Sequence, residues 1–419
     1  MINTRLKSLI PSATLRINEY SNHLEEQGKT IYKLGFGQSP FPVPQSMVNA
    51  LKERAHEKAY LPVRGLYQLR EIVAKYYQRT QRLSVKAENI LISPGSKMYL
   101  FIAQLAHEGD LLLPAPSWVS YAPQAKIIGK KCHWLNTTEA NSWQLMPDDL
   151  EDFCKKNPQP KMLLLNYPNN PTGVTYTAAQ LKVLAQVARK YQIIILSDEI
   201  YGELHHDNQH VSIAQYYPEG TIIYSGLSKW AGAGGWRVGT TLVPHELKDL
   251  RNTMATIASE TFTTVSSPIQ YGSIAAFEDT TDLDNYRHAA RKILKHVGNF
   301  TYQSLQNMNI TTPRPEGGFY SFINFEAHRK NLAQKNIVDS VSLSNQLLEE
   351  TGIALLPSID FGRQAEELLF RMAFVDFDGE KALNAVLNTY SAKPLDDNFL
   401  KNYTPKIVIA MEKLAEWLN

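Results

Sequence analysis

The residues best equipped to do chemistry lie in one stretch, TIIYSGLSKWAGAGGWRVGT, residues 221–240. Its lysine, Lys229, follows a β-branched run (Thr221, Ile222, Ile223, Tyr224) that reads as a buried strand. Tyr224 and Trp230 flank it and strip water from the amine, and only an uncharged amine attacks a carbonyl. Gly232, Gly234 and Gly235 follow, then Arg237, a rigid positive fork suited to a phosphate. Alone, the same letters describe a lysine snorkelling from a strand end. The rest of the chain decides.

Several other segments end a predicted strand in polar residues. NILISPG (89–95) runs into Gly95, Ser96 and Lys97 at a helix start, where exposed amides cradle a phosphate. DLLLPAP (110–116) leads to Trp118 at the start of the next helix, with Tyr121 one turn on; the indole could be core or could cover a flat ring. KMLLLN (161–166) enters YPNNPTG, whose two Asn–Pro pairs force a rigid polar loop around Asn170. IIIL (193–196) ends in Ser197, Asp198, Glu199, Ile200 and Tyr201. Near the N-terminus, LGFGQSPFPVP (34–44) places Gly35 and Gly37 where backbone can approach a ligand. Arg371 sits inside the apolar run LLFRMAFVDFD (368–378) with no carboxylate beside it, so its anion is either a distant acid or an acidic ligand. His205, His206 and His210 in ELHHDNQH match no strong zinc spacing, and a solvated loop is expected there.

The elements that position these groups alternate. Thr177 and Gln180 form a capping box for a helix with Leu181, Leu184, Val187, Ala188 and Tyr191 on one face. Helices are expected over 19–29 and 45–58 and from near Leu66, with a short strand at 32–34. Past 245 the pattern is mostly helical, with a long helix over 281–307. Strands at 313–325, 353–358 and 368–378, a helix over 338–351, a polar stretch at 390–404 and a closing helix from 405 complete the chain. Strands ending in polar residues with helices between them predict an α/β fold, a mostly parallel sheet whose carboxyl edge carries the site. The expected organisation is an arm (1–44) packed on the small domain, a large domain (45–285) and a smaller C-terminal α+β domain (286–419).

Composition excludes other classes. The 43 basic and 41 acidic residues leave a net charge of +2, which argues against a nucleic-acid or membrane surface as the main partner. Cys132 and Cys154 are too few for a disulfide framework or zinc site. No apolar run reaches the ~18 residues that span a bilayer. Arg5, Lys7 and Arg16 faintly suggest a transit peptide, but the segment reads better as the arm of a cytoplasmic enzyme.

In order and type, these motifs resemble the pyridoxal-phosphate aminotransferases of fold type I (class I/II, aspartate aminotransferase-like), from about Pro11 to the last helix. The resemblance implies pyridoxal 5′-phosphate as cofactor, held covalently by Lys229. It places Asp198 against the pyridine nitrogen, Asn170 and Tyr201 on the phenolic oxygen, and Trp118 over the ring. Phosphate contacts would come from Gly95, Ser96, Lys97, Arg237 and, across a homodimer interface, Tyr60. Arg371 would grip the substrate carboxylate, helped by Gly37 and Asn170. The family often has serine three residues before the lysine; here that position is Gly226, between Ser225 and Ser228, which leaves the contacting serine open. The usual Gly-x-Pro-x-Phe reads Gly-Gln-Ser-Pro-Phe, and Met98-Tyr99 replaces the common Gln-Ala.

The implied reaction is ping-pong transfer of an amino group from an L-amino acid to a 2-oxo acid. A carbon–sulfur lyase or elimination/synthase enzyme is the alternative on the same machinery. A cofactor-binding transcription regulator is the non-enzymatic reading, but it needs a DNA-binding domain ahead of the resemblance and a basic footprint. For the substrate side chain, Arg64 and Lys97 offer charge, while Tyr32, Phe36, Tyr320 and Phe361 offer an apolar wall.

Overall fold

Apolar runs without polar alternation must be covered on both faces. In the computed structural model of the chain, which describes residues 3–7, 9, 13–159 and 161–419, they are; Pro11 lies outside the described residues. The strands β1 (Ile90–Pro94), β2 (Asp110–Ala115), β3 (Cys132–Asn136), β4 (Lys161–Asn166), β5 (Ile194–Asp198), β6 (Thr221–Gly226) and β7 (Val238–Leu242) form one sheet. Their order is β1-β7-β6-β5-β4-β2-β3. Strands β2 to β6 pair in parallel, and β7 runs antiparallel to both of its neighbours. Every residue of β4 and β7 is buried. Each such leucine or valine contributes about 1.5–3 kcal/mol, so the sheet is a rigid base for whatever its edge carries.

The fold is α/β, as expected from the alternating pattern. Because β1 and β6 share a direction, the ends of β1, β4, β5 and β6 meet on one edge, followed by Gly95, the Asn–Pro loop, Tyr201 and Lys229 respectively. The capping box holds: Thr177 Oγ1 accepts from the Gln180 amide at 3.3 Å, and Gln180 Oε1 accepts from the Thr177 amide at 2.8 Å.

A second sheet, antiparallel and in the order β8-β10-β9, is built from β8 (Tyr320–Asn324), β9 (Leu356–Pro357) and β10 (Leu369–Ala373). Arg371 is in β10, opposite Phe322 and Leu356. The N-terminal segment ties onto this region. Tyr32 bridges Ile353, and the Ala373 amide donates to the Leu34 carbonyl at 2.6 Å. Gly35 is thereby set beside Arg371, and Gly37 beside Tyr320.

Some elements differ from expectation. The first long helix is Ala13–Glu26, and the next ends at Arg54. Trp118 lies ahead of its helix, which begins at Tyr121. β3 and β7 escape detection because CHWLN and VGTTL mix polar and apolar residues, and pairing within the sheet overrides that weak pattern. The polar stretch 390–404 contains the helix Asp397–Tyr403, capped by Asp396 and anchored by the buried Phe399. The segment 203–210 is solvated only at 207–209: His205 and His206 are buried, and His210 pairs with the buried Glu199 at 2.9 Å. Burial pushes His205 and His206 down to about 4, so both imidazoles are neutral. Among the described residues no group of three or more His, Cys, Asp or Glu could hold a metal.

Candidate active site

A cavity of about 540 Å³ opens at the sheet's carboxyl edge, lined by Gly37, Gly95, Ser96, Lys97, Trp118, Asn170, Asp198, Tyr201, Lys229, Arg237 and Arg371 among others. The named residues run from Gly37 to Arg371, and most of them follow the end of a strand or begin a helix, while Arg371 projects from the middle of β10.

Anion-binding features gather at one wall. The helix Ser96–Ala106 begins just past β1 with its free amides. A Cβ at Gly95 would fall 2.2 Å from Arg237 Nη2, so only glycine lets the guanidinium lie against this helix start. Arg237 is held in a left-handed backbone conformation (φ 56°), with Nη1 donating to Gly234 O at 3.0 Å and Nη2 to Pro94 O at 3.2 Å. At Gly226 a Cβ would meet Val238 O at 2.5 Å, so the β6–β7 pair excludes a serine there. Ser228 lines the cavity in its place, and Ser225 does not.

Asp198 ends β5 and is 3% exposed. It accepts from Tyr121 Oη at 2.7 Å and from the Ile200 amide at 3.3 Å, with no cation in bonding distance among the described residues. Burial pushes its carboxyl up to about 6, partly offset by Tyr121, Ile200 and the charge of Lys229. Asn166 locks the neighbouring loop, donating from Nδ2 to Asp198 O at 2.8 Å and accepting from the Asn170 amide at 2.7 Å.

Lys229 Nζ donates to Gly37 O at 2.8 Å and lies over the Tyr201 ring, 5.6 Å from its centroid. Arg371 is 1% exposed. Its Nη1 donates to Asn170 Oδ1 at 3.1 Å and its Nη2 to Gly35 O at 2.6 Å, while Nε has no hydrogen-bond partner among the described residues. An arginine stays charged even when buried, and a planar fork with an orphaned N–H is what a carboxylate satisfies.

Some expected residues lie elsewhere. Tyr60 is 92% exposed and outside the cavity. Arg64 is bonded to Asn252 at 2.9 Å, also outside. Phe36 and Tyr320 do line the cavity; Tyr32 and Phe361 are buried and do not. Tyr121 and Asn166 carried no assignment from sequence. Tyr121's position one turn past Trp118 was the available signal, but its contact with Asp198 joins residues 77 apart.

The pattern describing aminotransferases of class I and II matches residues 29–378. The chain belongs to this family. It is a pyridoxal-phosphate-dependent aminotransferase. An aspartate aminotransferase of Geobacillus stearothermophilus is 34% identical to it, covering 85% of this chain and 91% of the relative. One from Bacillus subtilis is 32% identical with the same coverage. A solved aspartate aminotransferase from Thermus thermophilus with maleate has a TM-score of 0.83 at 26% identity, covering 93% of this chain and 99% of that one.

The aminotransferase's residues fit its cofactor on observations of this structure. Asp198 is a buried carboxyl without a cationic partner, which a protonated pyridine would supply, and the Gly95–Arg237 cradle suits a phosphate. Tyr121→Phe should raise the Asp198 pKa further, by about one unit or more, the worth of a hydrogen bond to a charged group. Carboxyl-carbon NMR titration of the cofactor-free enzyme reads this directly.

Proposed function

We propose that the enzyme uses an acidic L-amino acid as amino donor, aspartate first, with a 2-oxo acid as acceptor. The observation that carries this is the presence of both Arg371 and Lys97 in one cavity, in addition to Arg237 and Lys229. A dicarboxylate brings one carboxylate for each of the first two cations. Lys97 lies over Trp118, 4.9 Å from the ring centroid, and burial and Arg237 hold its pKa below the ordinary lysine value. Neutralisation by an anion would relieve that strain. The relatives named aspartate aminotransferase, and the Thermus structure with maleate, itself a dicarboxylate, support the same reading.

The bound cofactor supplies an electron-accepting ring. Lys229 would hold it covalently and would carry the proton at the substrate Cα. Asp198 would keep a proton on the ring nitrogen, and Tyr201 and Asn170 would hold the phenolic oxygen. Gly95, Ser96, the Lys97 backbone amide, Ser228 and Arg237 would bind the phosphate, leaving the Lys97 ammonium for the substrate, and Trp118 would cover the ring. Arg371 orients the substrate carboxylate, with Gly37 and Asn170 shaping the approach. The 92% exposed Tyr60 reaches the partner's phosphate in a homodimer. We read the enzyme as cytoplasmic, in keeping with its two free cysteines; no helix among the described residues is long and apolar enough to cross a membrane. The arm 1–44, large domain 45–285 and small domain 286–419 remain our division of the chain.

Mixing enzyme with aspartate alone should release one 2-oxo acid per site and no ammonia. Continuous ammonia release would instead establish the lyase reading. Lys97→Ala should lower kcat/KM for aspartate about 10–100-fold relative to an apolar donor, the worth of one charge-assisted bond. An unchanged ratio would remove the acidic-donor assignment.

A further inference from the structure

The side chain of Tyr320 joins three groups that the site otherwise keeps apart. It stands at the start of β8, in the small sheet that carries Arg371, and is 1% exposed. Its hydroxyl reaches across to the large sheet's edge, 2.9 Å from the hydroxyl of Tyr201. The same hydroxyl donates weakly, at 3.4 Å, to Gly37 O, the carbonyl on which the Lys229 amine rests. The Arg371 guanidinium lies over its ring, 4.8 Å from the centroid. The fit leaves no slack: a Cβ on Gly37 would fall 2.0 Å from Tyr320 Oη.

Two facing hydroxyls share one hydrogen in the line between them. If Tyr201 gives its proton to a ligand, Tyr320 must become the donor, and Tyr201 is then a stronger donor in turn. The contact already marks Tyr201, whose phenol is held well above the ordinary tyrosine value by burial first and by Tyr320 next.

Resting on the cofactor roles given above, we propose that Tyr320 is a positioning residue that aims the Tyr201 hydroxyl at the cofactor's phenolic oxygen and links it to Arg371. Capture of a substrate carboxylate by the guanidinium is felt through the Tyr320 ring, and the state of the cofactor changes with it. Asn170, bonded to Arg371 Nη1, provides a parallel connection, so Tyr320 carries part of the coupling.

The test is a spectral pH titration of the bound cofactor in the wild-type holoenzyme and in Tyr320→Phe, with and without succinate, an unreactive dicarboxylate. Phenylalanine keeps the ring under Arg371 and removes one oxygen. The apparent pKa of the cofactor absorbance should rise by about 0.7 unit in the variant, the equivalent of one ordinary hydrogen bond. The additional shift caused by succinate should be smaller than in wild type. Tyr201→Phe should produce a larger rise, and adding Tyr320→Phe to it should change little more, because the two hydroxyls act as one unit. Gly37→Ala, which forces the Tyr320 hydroxyl away, should move the pKa in the same direction and serves if Tyr320→Phe does not fold. A wild-type titration left unmoved by both substitutions, or strictly additive effects of Tyr201→Phe and Tyr320→Phe, overturns the proposal while leaving the cofactor assignment standing. A wild-type protein that binds no pyridoxal phosphate refutes that assignment instead.

Discussion

A Lys229→Ala enzyme should fold, bind pyridoxal phosphate without a covalent link and turn over no amino donor. The folded state loses little, because the amine makes one hydrogen bond, to Gly37 O, and lines an open cavity; a bond of this kind contributes about 1 kcal/mol. The chemical step loses both its covalent anchor and its proton carrier. Removing a general base alone costs ~10²–10⁴ in rate, so kcat should fall by more than ~10⁴ once the anchor is lost as well. Borohydride reduction followed by peptide mapping checks the anchor. Wild type should be labelled at Lys229 and the variant not at all. Retained turnover, or a label on another lysine, would show that the wrong amine has been chosen.

The second large effect separates function from stability in opposite directions. Asp198→Asn keeps an acceptor for Tyr121 but carries no charge, so the ring nitrogen loses its counter-ion. The rate should drop by about 10³ and cofactor affinity should weaken, since a desolvated ion pair is worth several kcal/mol when one partner is deleted. The cofactor-free protein should respond the other way. Asp198 titrates at about 6 when folded, against 3.8 for an ordinary aspartate. The folded chain therefore holds this proton more tightly than the unfolded one. Stability contributed by the group is greatest below pH ~4, declines as pH rises through 4 to 6, and stays low above that. The difference corresponds to about 3 kcal/mol. Denaturant melts of the cofactor-free Asp198→Asn protein should show a gain of this order at pH 8 that vanishes near pH 4. A variant that is less stable at pH 8, or nearly fully active, would mean that Asp198 is not the strained counter-ion described here.

Much of this molecule could be read along the chain because its chemistry sits at element ends. A parallel strand stops where its apolar run stops, so Asp198, Lys229 and Gly95 announce themselves as polar or small residues following β-branched or leucine-rich segments. The capping box at Thr177 and the long helix Thr281–Asn307 are local in the same way, since neighbours within four residues decide them. Arg371 was conspicuous because an arginine in an apolar strand needs an anion, and among the described residues its Nε has no hydrogen-bond partner.

Legible in the chain itself, then, were most of the residues that line the cavity and the alternation that makes a parallel sheet, because both are written in residue type and short-range period. Only the tertiary structure decided which groups touch. The bond from Tyr121 to Asp198 spans 77 residues, that from Lys229 to Gly37 spans 192, and that from Arg371 to Gly35 spans 336. It likewise buried His205 and His206 and assigned β7 its antiparallel place. The physical reason is common to all of these: hydrogen bonding and burial depend on what packs against a side chain, and distant parts of the chain supply that environment only once the sheet has formed.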